Sequence, residues 1–122
     1  MGHHVLLIED EPNITEALRF LLNRDGFTVA THADGATALE AIDREAPDLI
    51  VLDVMLPNKN GFDILRDLRA ETATQQLPVL MLTAKGQEKD RALAESFKVD
   101  KFMTKPFSNQ EIVSTINDLL AR

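Results

Sequence analysis

The chain reads as one α/β domain, a five-stranded parallel sheet with helices on both faces. Three observations predict this. Short apolar runs alternate with helix-patterned stretches five times along 122 residues, the order of βα units. The runs Val5 to Ile8, Leu49 to Leu52 and Val79 to Leu82 are apolar without a break, as strands covered on both faces must be. The length suits a single core, and no repeat, linker or low-complexity segment divides it.

Taken in order, Met1-Gly2-His3-His4 is read as partly added sequence and given no function. His3 and His4 are adjacent, so on a strand they would point to opposite faces, poor geometry for a shared metal. Val5 to Ile8 is the first strand, and Glu9, Asp10 and Glu11 follow it. Pro12 suits a first helical turn, and Ile14, Ala17, Leu18, Leu21 and Leu22 mark one helix face that ends at Gly26. Phe27 to Thr31 alternates weakly as a half-buried strand. Asp34-Gly35 is a turn or cap before a second helix on Ala38, Leu39 and Ile42, closed by Pro47. The third strand leads to Asp53, then to a turn of Pro57, Asn58, Asn60 and Gly61. Phe62, Leu65 and Leu68 give a third helix to about Glu71, and Thr72 to Gln76 form a loop. Val79 to Leu82 is the fourth strand, with Thr83, Ala84 and Lys85 after it. Gln87 to Phe97 is a fourth helix poor in large apolar residues, either partner-facing or merely exposed. Val99 to Thr104 is the fifth strand. Lys105-Pro106 follows, and Ser108 with Glu111 forms a capping-box pattern. Ile112, Val113, Ile116, Leu119 and Leu120 give the last helix its apolar face.

The net charge of -7 and pI near 4.8 argue against nucleic-acid binding by this surface. The absence of cysteine removes disulfide, thiol and Cys-zinc chemistry. No run approaches membrane-spanning length and no signal-peptide pattern opens the chain.

Right-handed crossovers place all the strand carboxyl ends on one edge, where open sheets bind ligands. Four of the five strands deliver a chemically useful residue there: Glu9 and Asp10, Asp53, Thr83 and Lys105. His32 and Asp34, near the end of the second strand, look ordinary. Each residue alone has a commonplace explanation as a cap, a turn former or solvated surface. Together they suit one chemistry. Three crowded carboxylates call for a cation, and an all-oxygen donor set suits Mg²⁺. A hydroxyl and an ammonium opposite would hold phosphoryl oxygens and neutralise their charge. Asp53 stands between the two sides as a nucleophile.

The motifs VLLIEDEP (Val5 to Pro12), LIVLDVMLPNKNGF (Leu49 to Phe62), VLMLTAKG (Val79 to Gly86) and FMTKPF (Phe102 to Phe107) carry a strong resemblance. The chain resembles the receiver domain of bacterial two-component response regulators over essentially its whole length, so residues 1–122 are expected to be one receiver domain. The resemblance implies a doubly wound, flavodoxin-like sheet of order 2-1-3-4-5 with five helices. It implies that Asp53 accepts a phosphoryl group from a sensor histidine kinase or phosphotransfer protein. Asp10 would bind Mg²⁺ directly, Glu9 through water, and the Met55 backbone carbonyl would complete the protein ligands alongside Asp53. Thr83 and Lys105 would bind the phosphoryl oxygens, and the Lys105-Pro106 bond would be cis. Phe102 matches the switch aromatic that turns inward as Thr83 moves. The fourth helix, fifth strand and fifth helix would form the output face toward a downstream protein. Met55 and Lys85 occupy positions that tune hydrolysis of the phosphoryl group.

Three departures from the family pattern stand out. Glu9 is longer than the Asp also common there. Phe102 lacks the hydroxyl of a Tyr. Lys98 stands where Gly is usual, and a left-handed backbone would penalise it, so the turn is expected to differ.

A haloacid-dehalogenase-type phosphatase would need its nucleophile on the first strand and an acid-base Asp where Met55 stands. A flavin protein would need a Ser/Thr-rich phosphate loop after the first strand. A degenerate receiver would not need the full acidic set. The expected protein is thus a cytoplasmic signalling domain that catalyses only its own phosphorylation and dephosphorylation, as a monomer or a phosphorylation-dependent dimer. Both a stand-alone receiver and a piece of a longer regulator remain open.

Overall fold

The computed structural model describes residues 2–84 and 88–121. Five strands, β1 (His4–Ile8), β2 (Thr28–His32), β3 (Leu49–Asp53), β4 (Val79–Thr83) and β5 (Lys101–Thr104), form one parallel sheet of order β2-β1-β3-β4-β5. The helices are α1 (Pro12–Arg24), α2 (Ala38–Glu45), α3 (Gly61–Ala70), α4 (Glu88–Ser96) and α5 (Asn109–Leu120). A 3₁₀ turn, Gly35–Thr37, precedes α2. Among the described residues no helix is long and apolar enough to cross a membrane.

The period-2 alternation of the strands explains the two layers. Leu6, Ile8, Ile50, Leu52 and Met81 join residues of α2 and α3, and Ala94 of α4, in one core. Val5, Leu7, Val51, Leu80 and Leu82 join residues of α1 and α5 in the other. Every residue of β3 and β4 is buried, so the uninterrupted apolar runs reflect covering on both sides. Only Ala94 of α4 is buried among its described residues, in keeping with its few large apolar side chains.

Helix ends follow local chemistry. Pro12 opens α1. Asn60 and Ser108 accept hydrogen bonds from Asp63 N and Glu111 N at the starts of α3 and α5, satisfying amides that the helix cannot. β5 begins later than Val99 because the chain first turns. Lys98 N donates to Glu95 O and Val99 N to Ala94 O, at 2.9 and 3.1 Å, a Schellman closure of α4. Lys98 takes the left-handed conformation there, with φ 63. The expected departure of this turn is therefore absent. Those bonds, and the Lys98 carbonyl accepting from Arg69 Nε at 3.0 Å, hold the turn in the shape a glycine would take. Gly26 closes α1 in the same way with φ 96. Lys98→Gly is accordingly expected to stabilise the protein by about 0.5–1 kcal/mol, relief of left-handed strain exceeding the added freedom of the unfolded chain. Urea unfolding reads this, and an unchanged or lowered midpoint contradicts it.

Arg69 makes the main tie at this end. Its guanidinium also donates to the Leu77 carbonyl at 2.7 Å and to Asp100 Oδ2 at 2.9 Å. Asp100 Oδ2 in turn accepts from Val79 N at 2.8 Å. One side chain thus joins α3, the approach to β4 and the turn into β5, at the end of the sheet away from the strand carboxyl termini.

Candidate functional site

Strand register assembles the site. Ile8 pairs with Leu52, so Glu9 and Asp53 follow paired residues on neighbouring strands. Asp53 pairs with Leu82, and Thr83 with Thr104. The parallel ladder continues past the strands: Glu9 N donates to His32 O, Val54 N to Leu82 O and Lys105 N to Thr83 O, at 2.8–3.0 Å. Glu9, Asp53, Thr83 and Lys105 are therefore launched from hydrogen-bonded backbone.

Glu9, Asp10 and Asp53 each offer a carboxylate oxygen within 4.8 Å of the others. Glu9 and Asp53 are buried, 4% and 3% exposed, while Asp10 is exposed. Lys105 Nζ reaches both buried acids, at 2.9 Å from Glu9 Oε1 and 3.3 Å from Asp53 Oδ1. The second Glu9 oxygen accepts from Glu11 N at 3.1 Å. Glu9 therefore uses its length to bridge Lys105 and the turn into α1.

The electrostatics follow from this crowding. Burial, then the charge of Glu9, pushes the Asp53 carboxyl up from 3.8 to about 7, with Lys105 opposing. Burial disfavours the Lys105 ammonium, but the hydrogen bond to Glu9 and the charges of Asp53 and Glu9 outweigh it and raise its pKa. A single ammonium leaves the three acids under-neutralised. The cluster fits a hard divalent ion, because its donors are all oxygens and its central acid resists ionisation without further positive charge.

Thr83 is buried at the end of β4. Met55 is 71% exposed beside the site. Phe102 is 5% exposed, and the Arg91 guanidinium lies 5.1 Å from its ring centroid. An α4 cation thus lies over the ring of a buried residue. The Lys105-Pro106 peptide is cis. Lys85 lies outside the described residues. Clefts of about 350 and 440 Å³ flank the acids, one between α1 and β2, the other lined by Met55, Phe62, Thr83 and Asp90.

Sequence reasoning missed one part of this edge. The end of β2 supplies no candidate ligand, but Asp34 Oδ1 accepts from Asn58 Nδ2 at 3.0 Å and Gly35 N donates to Pro57 O at 3.0 Å. The β2–α2 segment is thereby joined to the loop after Asp53. The signal was a turn-forming Asp-Gly facing a turn-forming Asn across the same sheet edge.

Comparisons with known proteins agree on one family. The family model described as "Response regulator receiver domain" matches residues 5–117. The chain is similar to the transcriptional regulatory protein CpxR of Klebsiella pneumoniae, with 43% identity over 118 residues, 97% of this chain and 49% of the relative. It spans about half the length of the curated relatives it matches. A putative response regulator from Chloroflexus aurantiacus superposes with TM-score 0.94 at 32% identity, covering 100% of both chains. The receiver domain of a sensor histidine kinase from Pseudomonas aeruginosa, solved with a magnesium ion coordinated in its active-site cleft, superposes with TM-score 0.90 at 27% identity, again over 100% of both chains.

Proposed function

The chain belongs to the response regulator receiver domain family of two-component systems, and we propose that it is a phosphorylation-activated switch whose acceptor is Asp53. The observation that carries this reading is the position of Asp53. It is buried at the carboxyl end of the sheet, with Glu9 and Asp10 beside it and the Lys105 ammonium 3.3 Å away.

In the proposed reaction an Asp53 carboxylate oxygen attacks phosphorus. The new O–P bond forms as the P–N bond of a kinase or phosphotransfer-protein phosphohistidine breaks, and the electron pair leaves on the imidazole. Asp10, Asp53 and the Met55 carbonyl, with Glu9 through water, would hold Mg²⁺, which supplies charge neutralisation on the transferring group. Lys105 and Thr83 take the phosphoryl oxygens on the other side. Lys105 thereby exchanges carboxylate partners for phosphoryl ones. Thr83 and Phe102 then relay occupancy to the face of α4, β5 and α5, where Leu93 is 41% exposed. That face is the proposed contact for a downstream protein or a second copy after phosphorylation. Met55 shields the acyl phosphate from water, with Lys85 as the second tuning position. A cytoplasmic location goes with this reading, because the phosphodonor is a sensor kinase's phosphohistidine.

Intact-mass spectrometry after incubation with Mg²⁺ and acetyl phosphate tests the proposal. One labile phosphoryl adduct is expected, absent in Asp53→Ala and shorter-lived in Met55→Asn. Steady turnover of phosphoesters without an adduct would replace the switch with a phosphatase.

A further inference from the structure

A backbone carbonyl cannot be aimed by choosing a rotamer. Only the path of its loop places it, so a ligand such as the Met55 carbonyl depends on whatever fixes residues on either side. We propose that Asp34 and Gly35, at the end of β2, are positioning residues for the divalent cation. They brace the β3–α3 loop and so place the Met55 carbonyl. This rests on the assignment of that carbonyl as a metal ligand.

The near side of Met55 is fixed by β3 and β4. Val54 N donates to Leu82 O at 3.0 Å, and Val54 O accepts from Gly61 N at 2.9 Å. Gly61 lies so close to the strand end that a Cβ there would overlap the Asp53 carbonyl.

The far side is fixed from β2. Pro57 O accepts from both Gly35 N and Lys59 N, at 3.0 and 2.9 Å. Asn58 is left-handed, φ 71, and its amide is held by Asp34 Oδ1. That same oxygen accepts from Ala36 N at 2.9 Å, so the brace is anchored on the turn leading into α2. Gly35 is buried, and a Cβ there would overlap the Lys59 carbonyl, so the two loops meet backbone to backbone. Lys59 further pairs with Asp67 of α3. Only Met55 and Leu56 lie between the anchored residues Val54 and Pro57. The Asn58 hydrogen bond, then the Ala36 amide, hold the Asp34 carboxyl below the usual range, as expected of a carboxylate engaged as an acceptor. Groups that orient a ligand without touching the metal commonly change metal affinity by 10–100-fold.

Mg²⁺ titration of the full chain by isothermal calorimetry tests the brace through four variants. Asp34→Ala removes the acceptor. Asn58→Gly removes the donor and keeps the left-handed backbone free of strain. Each is expected to weaken Mg²⁺ binding about 10-fold, and the double variant no more than Asp34→Ala alone, because Asn58→Gly deletes a bond that Asp34→Ala already removes. Asp34→Asn keeps the acceptor and loses the charge, so it should bind within about 2-fold of wild type, since the loss traces to geometry. Wild-type affinity in Asp34→Ala and Asn58→Gly overturns the brace alone. Weakening in Asp34→Asn equal to that in Asp34→Ala also overturns it, because charge would then be the cause. A wild-type chain that takes up no Mg²⁺ removes the metal reading and the brace together.

Discussion

Asp53→Asn is expected to abolish phosphorylation and yet to raise the thermal stability of the metal-free protein at pH 8. Burial and the neighbouring Glu9 charge lift the Asp53 pKa from 3.8 to about 7. An acid whose folded pKa is raised holds its proton in the folded chain while the unfolded chain has released it. Its contribution to stability is fully present below pH 3.8 and is lost as pH rises through about 7. At pH 8 the whole penalty stands. A shift of this size corresponds to about 4 kcal/mol at most, and screening and relaxation reduce that to roughly 2 kcal/mol. The asparagine keeps the shape without the charge, so its melting temperature should exceed wild type by roughly 6 °C at pH 8. The gap should close toward pH 4, where both side chains are neutral. Saturating Mg²⁺ should reverse the order, because it stabilises the chain with the stronger site. A gain that does not vary with pH would show that Asp53 is not the strained acid.

Much of this centre was legible in sequence because it depends on two short-range signals. Uninterrupted apolar runs mark strands covered on both faces, and the residue after each run must emerge at the sheet edge. Glu9, Asp53, Thr83 and Lys105 follow from that rule with no knowledge of loop paths. Parts that depend on loops meeting in space were not legible. Nothing in local pattern pairs Asp34 with Asn58, 24 positions away, or sends Arg69 to Asp100, 31 positions away. The Lys98 turn was misjudged for a related reason. Propensity registers the penalty of a left-handed lysine, but not the hydrogen bonds from Val99 N to Ala94 O and from Arg69 to the Lys98 carbonyl that impose it. Within the site, the sequence reading placed Lys105 opposite the acids, as a phosphoryl ligand. The structure has it gripping two of them.

In the proposed reaction that grip would make Lys105 a competitor of the metal as well as a clamp on the phosphoryl group. In Lys105→Met, two effects of opposite sign are expected. Mg²⁺ should bind at least about 10-fold more tightly at pH 8, because the ammonium that holds Glu9 and Asp53 would no longer oppose a cation at the same carboxylates. Phosphorylation by acetyl phosphate should slow about 100-fold, because a charge aimed at the transferring oxygens is lost. Metal-free stability should fall by roughly 2–3 kcal/mol, as buried acids lose their cation. Calorimetric titration and adduct formation followed by mass spectrometry read the two main effects separately. If Lys105 only supported the fold, its loss would weaken both metal uptake and phosphorylation. Tighter metal binding with slower phosphorylation requires that Lys105 share carboxylates with the ion and then leave them for the phosphoryl group. Glu9 makes that sharing possible. Its longer arm holds Lys105 with one oxygen and the Glu11 amide with the other, so the ammonium does not rest on Asp53 alone. Unchanged or weaker Mg²⁺ binding in a folded Lys105→Met protein would defeat this account of the exchange.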